Sequence, residues 1–364
     1  MKIIHVTPTY FADSSVIGGG ERYVNNVCKA LNLQGSISRS DILSFGPKAC
    51  EISFLPKSLL RIAPAQPAKS FGEVNAYVNS GLRDYLAEYD VVHIHQCLTP
   101  FGLFVASHAR LLGKKVIGTD HGGGETPLFL SHPFLFDVFD ILHSQSDFAA
   151  AAFADASFRS RVIKGPMDDE KFMLAHAEDR DPRLFIAIGR ILPHKGFENL
   201  IDTLPEQCRL IIVGRVGDTE YFQLLRSRVG NKQIEFASSL DDAALLALIR
   251  QAGLCLHASV RVGFRGDLYL KAELLGLAPL ECMSTGMPAI CSQTAALREL
   301  GQLQGCRTYQ TKDELADLLY RYVTGSLNFP QEDVIREDAR KYYGLEQFGR
   351  HYLAAINDGS PCAS

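Results

Sequence analysis

The sequence predicts an α/β fold in two successive domains, and two observations carry that reading. Short apolar runs of strand length alternate with helix-length segments of 3.6-residue period, the pattern of parallel strands wrapped by helices. The alternation breaks at a polar stretch, Ala175–Pro182, and restarts at Leu184. Length agrees, because 364 residues exceed one ordinary core and suit two domains of roughly 170 residues each.

Composition narrows the class. With 46% hydrophobic and 21% charged residues the chain reads as an ordinary globular protein. A net charge of −4 gives no electrostatic case for nucleic acid, whose binders carry a clustered positive excess. The nine cysteines are scattered without a C-x-x-C pair, which suits a reducing cytosol rather than a disulfide or zinc framework. Met1-Lys2-Ile3-Ile4-His5-Val6 enters an apolar strand at once and lacks the long core and cleavage site of a signal peptide. No apolar run is long enough to span a bilayer, so any membrane contact is expected to be peripheral.

Taken in order, Ile3–Thr7 reads as a buried strand and Val24–Leu31 as the apolar face of a helix. The long loop between them ends in Gly18-Gly19-Gly20-Glu21-Arg22. Glycines before a helix let backbone amides approach an anion closely, although a flexible surface loop has the same composition. They come too late after the strand, and in the wrong pattern, for a nicotinamide fingerprint. Asp41–Phe45 is the next strand. Residues 46–71, with Pro56, Pro64 and Pro67 and the basic Lys57, Arg61 and Lys69, read as an irregular excursion. Val74–Tyr89 reads as a helix, Val91–His95 as a strand, Pro100–Leu112 as a helix and Lys115–Thr119 as a strand. His121 stands just past the carboxyl end of that last strand, where open α/β sheets place ligands. Ile141–Ser146 supplies a further strand and Phe148–Phe153 a short helix.

The second half repeats the scheme. Leu184–Ile188 is a strand, followed by Gly189-Arg190 and Lys195-Gly196 before a helix near Glu198–Leu204. Two cations bracketing a turn at a strand's carboxyl end can neutralise a diphosphate, arginine by forked hydrogen bonds and lysine as a point charge. Leu210–Val213, Gln233–Phe236 and Gly253–His257 are strands, with helices over Tyr221–Arg228 and Asp241–Gln251. Val260–Lys271, rich in arginine and lysine, reads as a solvated loop. Lys312–Tyr322, Asp333–Tyr343 and Leu345–Ile356 are helical by period.

Residues 272–292 organise the rest. Gly276 frees the backbone before a short helix, and Pro279 suits its first position, with Ala278 as the expected N-cap. Gly286 ends the helix and Pro288 prevents its continuation into Ala289–Cys291. Alanine offers no side-chain oxygen, so the first-turn amides form a candidate anion site. Glu273 and Glu281 flank it, and Glu281 can also be read as half of a capping box.

Glu273-Leu-Leu-Gly276-Leu-Ala-Pro-Leu-Glu281, followed by Met283-x-x-Gly286-x-Pro288, resembles the E-x7-E signature of family 4 retaining glycosyltransferases. The resemblance implies a GT-B architecture, two Rossmann-like domains facing a central cleft. The expected domains are 1–174, with the helix 345–364 packing back on it, and 175–344 for the nucleotide-sugar. Catalytic roles would fall to Glu273, His121, Arg190 and Lys195, with Glu273 and His121 near the donor sugar. Donor binding would fall to Gly18, Gly19, Gly20, Arg190, Lys195, Gly276, Leu277 and Glu281, the last holding the ribose. The donor would be a nucleoside-diphosphate-sugar and the acceptor a saccharide, a lipid-linked saccharide or a small molecule. No cofactor and no essential metal are implied, and the setting would be cytoplasmic, including the inner face of the membrane. The rival readings are a nucleotide-sugar 2-epimerase of the same fold and a non-catalytic sugar-nucleotide-binding protein.

Overall fold

The computed structural model describes residues 1–8, 19–46, 48–64, 66–67, 77–78, 81–122, 129, 131–151, 153, 159–173, 180–238 and 240–357. It forms two units, Met1–Pro166 together with the stretch from Leu345, and Met167–Gly344.

The first unit is built on strands β1 (Lys2–Val6), β2 (Arg39–Gly46), β3 (Cys50–Leu55), β4 (Ser58–Pro64), β5 (Gln66–Pro67), β6 (Tyr77–Val78), β7 (Val91–His95), β8 (Lys115–Thr119), β9 (Ile141–Ser144) and β10 (Ser160–Val162). Eight of them make one sheet in the order β10-β9-β8-β7-β1-β2-β4-β3, while β5 and β6 pair separately. The large sheet is parallel except for β3, which runs antiparallel to β4. Its helices are α1 (Gly19–Asn32), α2 (Leu82–Ala87), α3 (Pro100–Leu111) and α4 (Asp147–Ala150). The start of α3 is fixed locally, with the Thr99 side chain accepting from Gly102 N–H and Pro100 in the first turn.

Side chains alternate across a strand, and here the two sheet faces differ in kind. Ile4 and Val6 of β1, with Val92 and Ile94 of β7, pack in an apolar cluster with Phe101 and Val105 of α3. The residues between them, His5, His93 and His95, are equally buried on the other face.

The second unit has strands β11 (Asp181–Ile188), β12 (Arg209–Val213), β13 (Gln233–Ala237), β14 (Ala252–His257), β15 (Ala289–Ser292) and β16 (Cys306–Tyr309). They form a parallel sheet in the order β13-β12-β11-β14-β15-β16. Around it stand α5 (Phe197–Thr203), α6 (Thr219–Arg228), α7 (Asp242–Gln251), α8 (Leu277–Ser284), α9 (Leu297–Leu300), α10 (Lys312–Val323) and α11 (Glu332–Tyr343). Phe185, Ile212, Leu254, Leu256 and Ile290 from the strands meet Leu200, Leu225, Leu315 and Leu319 from the helices in one core. Asp218, Asp241 and Thr311 cap α6, α7 and α10 through their side-chain oxygens. The last helix, α12 (Leu345–Asn357), returns to the first unit and packs on α1, where a Cβ at Gly349 would stand 2.6 Å from the Ala30 carbonyl oxygen.

Three expectations need correction. The unit boundary falls at 166/167 rather than 174/175. Met167 N–H donates to the Tyr343 carbonyl, and Arg336 donates to the carbonyls of Phe172 and Asp169, tying this stretch to α11. Residues 174–179, most of the expected linker, lie outside the described residues. Cys50–Leu55 and Ser58–Pro64 are not part of an irregular excursion, because as β3 and β4 they extend the sheet, while 47, 65 and 68–71, Lys69 among them, lie outside the described residues. The basic residues serve that edge: Lys57 donates to the carbonyls of Asn32 and Gln34, and Arg61 pairs with Glu51 and Glu88. Finally, within the stretch read as one helix, Val74–Tyr89, the described residues hold a strand at Tyr77–Val78 and a helix over Leu82–Ala87, while 74–76 and 79–80 lie outside them. An aromatic followed by a β-branched residue suits a strand better than a helix start. Among the described residues no helix is long and apolar enough to cross a membrane.

Candidate functional site

In the second unit the carboxyl end of β11 leads through Gly189 and Arg190 into a 3-10 turn, Pro193–Lys195. Gly196 closes the turn at φ +60°, and a Cβ there would stand 2.2 Å from the Ala258 carbonyl oxygen. Only glycine fits both constraints. The turn delivers Lys195 Nζ to 2.6 Å from Glu273 Oε2. His257, the last residue of β14, places Nε2 3.0 Å from the same oxygen, and Ser259 donates to it at 3.2 Å. A carboxylate only accepts, so His257 carries its hydrogen on Nε2. Burial alone would raise the Glu273 pKa, but the Lys195 ammonium and His257 outweigh it and hold the carboxyl well below its usual range. Glu273 is therefore an anion clamped at one oxygen.

Arg190 is exposed and makes no ion pair among the described residues, so the two predicted cations differ. One is engaged with an acid; the other is available. Beside Lys195, the His194 imidazole is pushed down to about 4, by burial first and by the Lys195 charge second. Its ring lies 5.3 Å from that of Tyr269. Tyr269 belongs to the 260–271 loop, which is held in place: Arg265 forms a forked pair with Asp218 and a second contact with Glu220.

Helix α8 starts at Leu277, and its N-cap is Gly276 at φ +87°, not Ala278. No side chain caps it. A Cβ at Gly276 would meet Leu297 Cδ2 at 2.7 Å, so the left-handed glycine is required by conformation and by packing together. Pro279 is thus the third helical residue rather than the first, still inside the turn whose N–H groups lack intrahelical partners. Glu281 becomes the fifth, too far along for the capping box, and is only 3% exposed. The chain thereby gathers Lys195, Glu273, Gly276, Leu277 and Glu281 on one unit, together with His257 and Ser259. Sequence reading missed those last two. The signal for His257 was a polar residue ending an otherwise apolar strand at its carboxyl end, and Ser259 follows two residues beyond it.

In the first unit, Gly19 and Gly20 open α1, and a Cβ at either would meet nothing within 4 Å among the described residues. Packing does not demand these glycines. Gly18 lies outside the described residues. His121 follows β8, with Nε2 2.8 Å from His95 Nδ1, and burial pushes its imidazole down to about 4.

His5, His93, His95, His121 and His143 all share this depression, with burial the leading cause in each. Their folded pKa values lie below the unfolded 6.5, so the stability they contribute is complete above pH 6.5. It is lost as pH falls toward about 4, because the unfolded chain then binds protons that the folded one refuses. Each histidine steepens this loss by up to about 1.4 kcal/mol per pH unit. Urea unfolding at pH 7 and pH 5 measures it, and equal stabilities would show that the cluster is not buried in the neutral form.

Residues 168–340, just under half of the chain, match the family model of the glycosyl transferases group 1. Among curated proteins, a phosphatidylinositol N-acetylglucosaminyltransferase subunit of Arabidopsis thaliana is 24% identical over 236 residues, covering 58% of this chain and 48% of that protein. The gpi3 subunit of the same enzyme from Schizosaccharomyces pombe is 23% identical over 278 residues, covering 70% of this chain and 58% of its own length. The chain spans about half the length of the curated relatives it matches. Among solved structures, Anabaena Alr3699/HepE in complex with UDP and glucose superimposes with a TM-score of 0.72 at 16% identity, covering 98% of this chain and 100% of that one. Sucrose-phosphate synthase from Thermosynechococcus elongatus gives 0.75 at 15% identity, with 98% of both chains covered. The fold is the two-domain GT-B fold.

Proposed function

We propose that the chain is a retaining glycosyltransferase that moves a sugar from a nucleoside-diphosphate-sugar to an acceptor hydroxyl. The observation that carries this reading is the grouping of Lys195, Glu273 and the uncapped start of α8 with Glu281 in the same helix. In this reading Arg190, Lys195 and the amides of Leu277 and Ala278 stabilise the leaving diphosphate, where charge develops as the glycosidic bond breaks. Those donors supply the countercharge, so no metal is invoked. Glu281 holds the ribose, and the free oxygen of Glu273 takes a hydroxyl of the donor sugar. His121 is proposed to contact that sugar.

Uridine is the proposed base, supported by the relative solved with UDP and with UDP-glucose. An N-acetylhexosamine or hexose is the proposed sugar, supported by that structure and by the curated relatives' names. The acceptor is proposed to be a saccharide or lipid-linked hydroxyl. A thermal-shift screen of uridine, guanosine and adenosine diphosphate sugars tests the donor, since a ligand at a hundred times its Kd stabilises by about 2.7 kcal/mol. The uridine series is expected to shift the melting temperature and the others not. NMR of the product then tests the chemistry. A retained anomeric configuration is expected; an inverted product, or an epimerised sugar released without acceptor, would overturn the reading.

A further inference from the structure

The buried histidine face of the first sheet is more polar than a structural core requires. Ser40 Oγ lies 3.2 Å from His5 Nε2, His5 Nδ1 lies 3.2 Å from His95 Nε2, and His95 Nδ1 lies 2.8 Å from His121 Nε2. The His95 and His121 rings stack at 5.0 Å with 15° between their planes. His5, His93 and His95 also have nitrogens within 4.8 Å of one another, close enough for a shared metal ion. Every one of those nitrogens, however, already has a protein partner. His93 spends Nε2 on Thr119 Oγ1 and Nδ1 on Tyr352 OH, both at 2.8 Å. A metal needs lone pairs converging on one point, whereas these are directed at each other and at hydroxyls. The group is a hydrogen-bond chain.

A neutral imidazole has one donor nitrogen and one acceptor. In a file of such rings the sense of donation at one end therefore sets every tautomer along it. If Ser40 donates to His5, then His5 donates from Nδ1 to His95, and His95 donates from Nδ1 to His121 Nε2. His121 must then carry its own hydrogen on Nδ1. In the opposite sense the Ser40 hydroxyl hydrogen would turn to the neighbouring Cys28 thiol, a weak acceptor in a buried place. The first sense leaves no buried donor so poorly matched, because the one N–H it leaves without a protein partner, His121 Nδ1–H, sits on a half-buried side chain that solvent reaches. Among the described residues, His121 Nδ1 has no partner.

We propose that Ser40, His5 and His95 form a relay that holds His121 in the Nδ1–H tautomer and so presents a fixed N–H donor to a ligand oxygen. They are positioning residues for His121. The ligand part rests on the proposed contact between His121 and the donor sugar; the tautomer part does not. Burial keeps each ring neutral, which the scheme requires.

Long-range proton–nitrogen NMR on the whole chain with ¹⁵N-labelled histidine reads the tautomers at pH 7.5. His121 is expected as Nδ1–H in the parent. His95→Phe is expected to shift it to Nε2–H, the form free imidazole side chains prefer, and His95→Asn to restore Nδ1–H, because the amide can donate where Nδ1 did. If His95→Phe does not fold, Ser40→Ala is the milder variant, expected to leave His121 in a mixture of both forms. Nε2–H in the parent, or Nδ1–H undisturbed in His95→Phe and Ser40→Ala alike, would overturn the relay. So would a stoichiometric metal found by mass spectrometry in the purified protein. Turnover separates the two parts: a tenfold lower kcat in His95→Phe, recovered in His95→Asn, is expected. A switched tautomer with unchanged kcat would overturn the His121 contact to the donor while the relay stands.

Discussion

Arg190→Ala and Lys195→Ala are each expected to lower kcat by on the order of 10²–10³, the usual effect of removing one donor from a centre of developing charge. The two variants should nevertheless part in stability. Arg190 is exposed and free of ion pairs among the described residues, so its loss should change folding stability by less than about 0.5 kcal/mol. Lys195 holds Glu273 at 2.6 Å, with the two side chains only 14% and 15% exposed. Removing the ammonium leaves a partly buried carboxylate with His257 and Ser259 alone, and raises the Glu273 pKa toward its ordinary value. A cost of up to about 3 kcal/mol is expected, the low end for breaking a buried pair, because some solvent reaches both groups. Steady-state kinetics and urea unfolding on both variants check this. Near-parental kcat in either would remove the diphosphate assignment. Equal unfolding midpoints would show that the Lys195–Glu273 pair contributes nothing to folding.

How much of this was legible in the residues depended on what each signal reports. Periodicity found the strands that carry the site, β8, β11 and β14, because each holds an apolar run, ended in β8 and β14 by the polar Thr119 and His257 and in β11 by Ile188 just before Gly189-Arg190. It placed the α8 N-cap two residues late. Proline suits the first helical position, but the left-handed turn and the contact with Leu297 select Gly276, and sequence spacing contains neither. That shift matters for chemistry, since it moves Glu281 beyond the capping position. The β3–β4 edge was hidden for a different reason. Prolines and basic residues read as a loop until the fold brings their partners alongside, Glu51 and Glu88 at Arg61 and the carbonyls of Asn32 and Gln34 at Lys57. His257 and Ser259 were missed because they act on Glu273 across 16 and 14 positions of chain, beyond any local pattern. The histidine face was present in the letters as His93-x-His95, yet its meaning needed β1 and β9 placed beside β7 and β8.

Glu281→Ala is expected to weaken nucleoside diphosphate binding by about ten- to a hundredfold, the equivalent of one or two hydrogen bonds to a charged group. The fold places this carboxylate at the fifth position of α8, 3% exposed. A capping acid belongs at the third position, where it reaches back to the N-cap amide, and Pro279 occupies that place here. The capping role is therefore not open to Glu281 at this position, and alanine is the better helix former at an interior position. The melting temperature of the free variant should accordingly stay within a few degrees of the parent, the range of a change near 1 kcal/mol. Glu281→Gln refines the test: it keeps the size and one acceptor oxygen but loses the charge, so its affinity should fall between the other two. Titration calorimetry with uridine diphosphate on all three proteins gives the affinities, and thermal unfolding without ligand gives the stabilities. A variant that melts early yet binds as tightly as the parent would make Glu281 a structural residue and leave the ribose without its assigned partner.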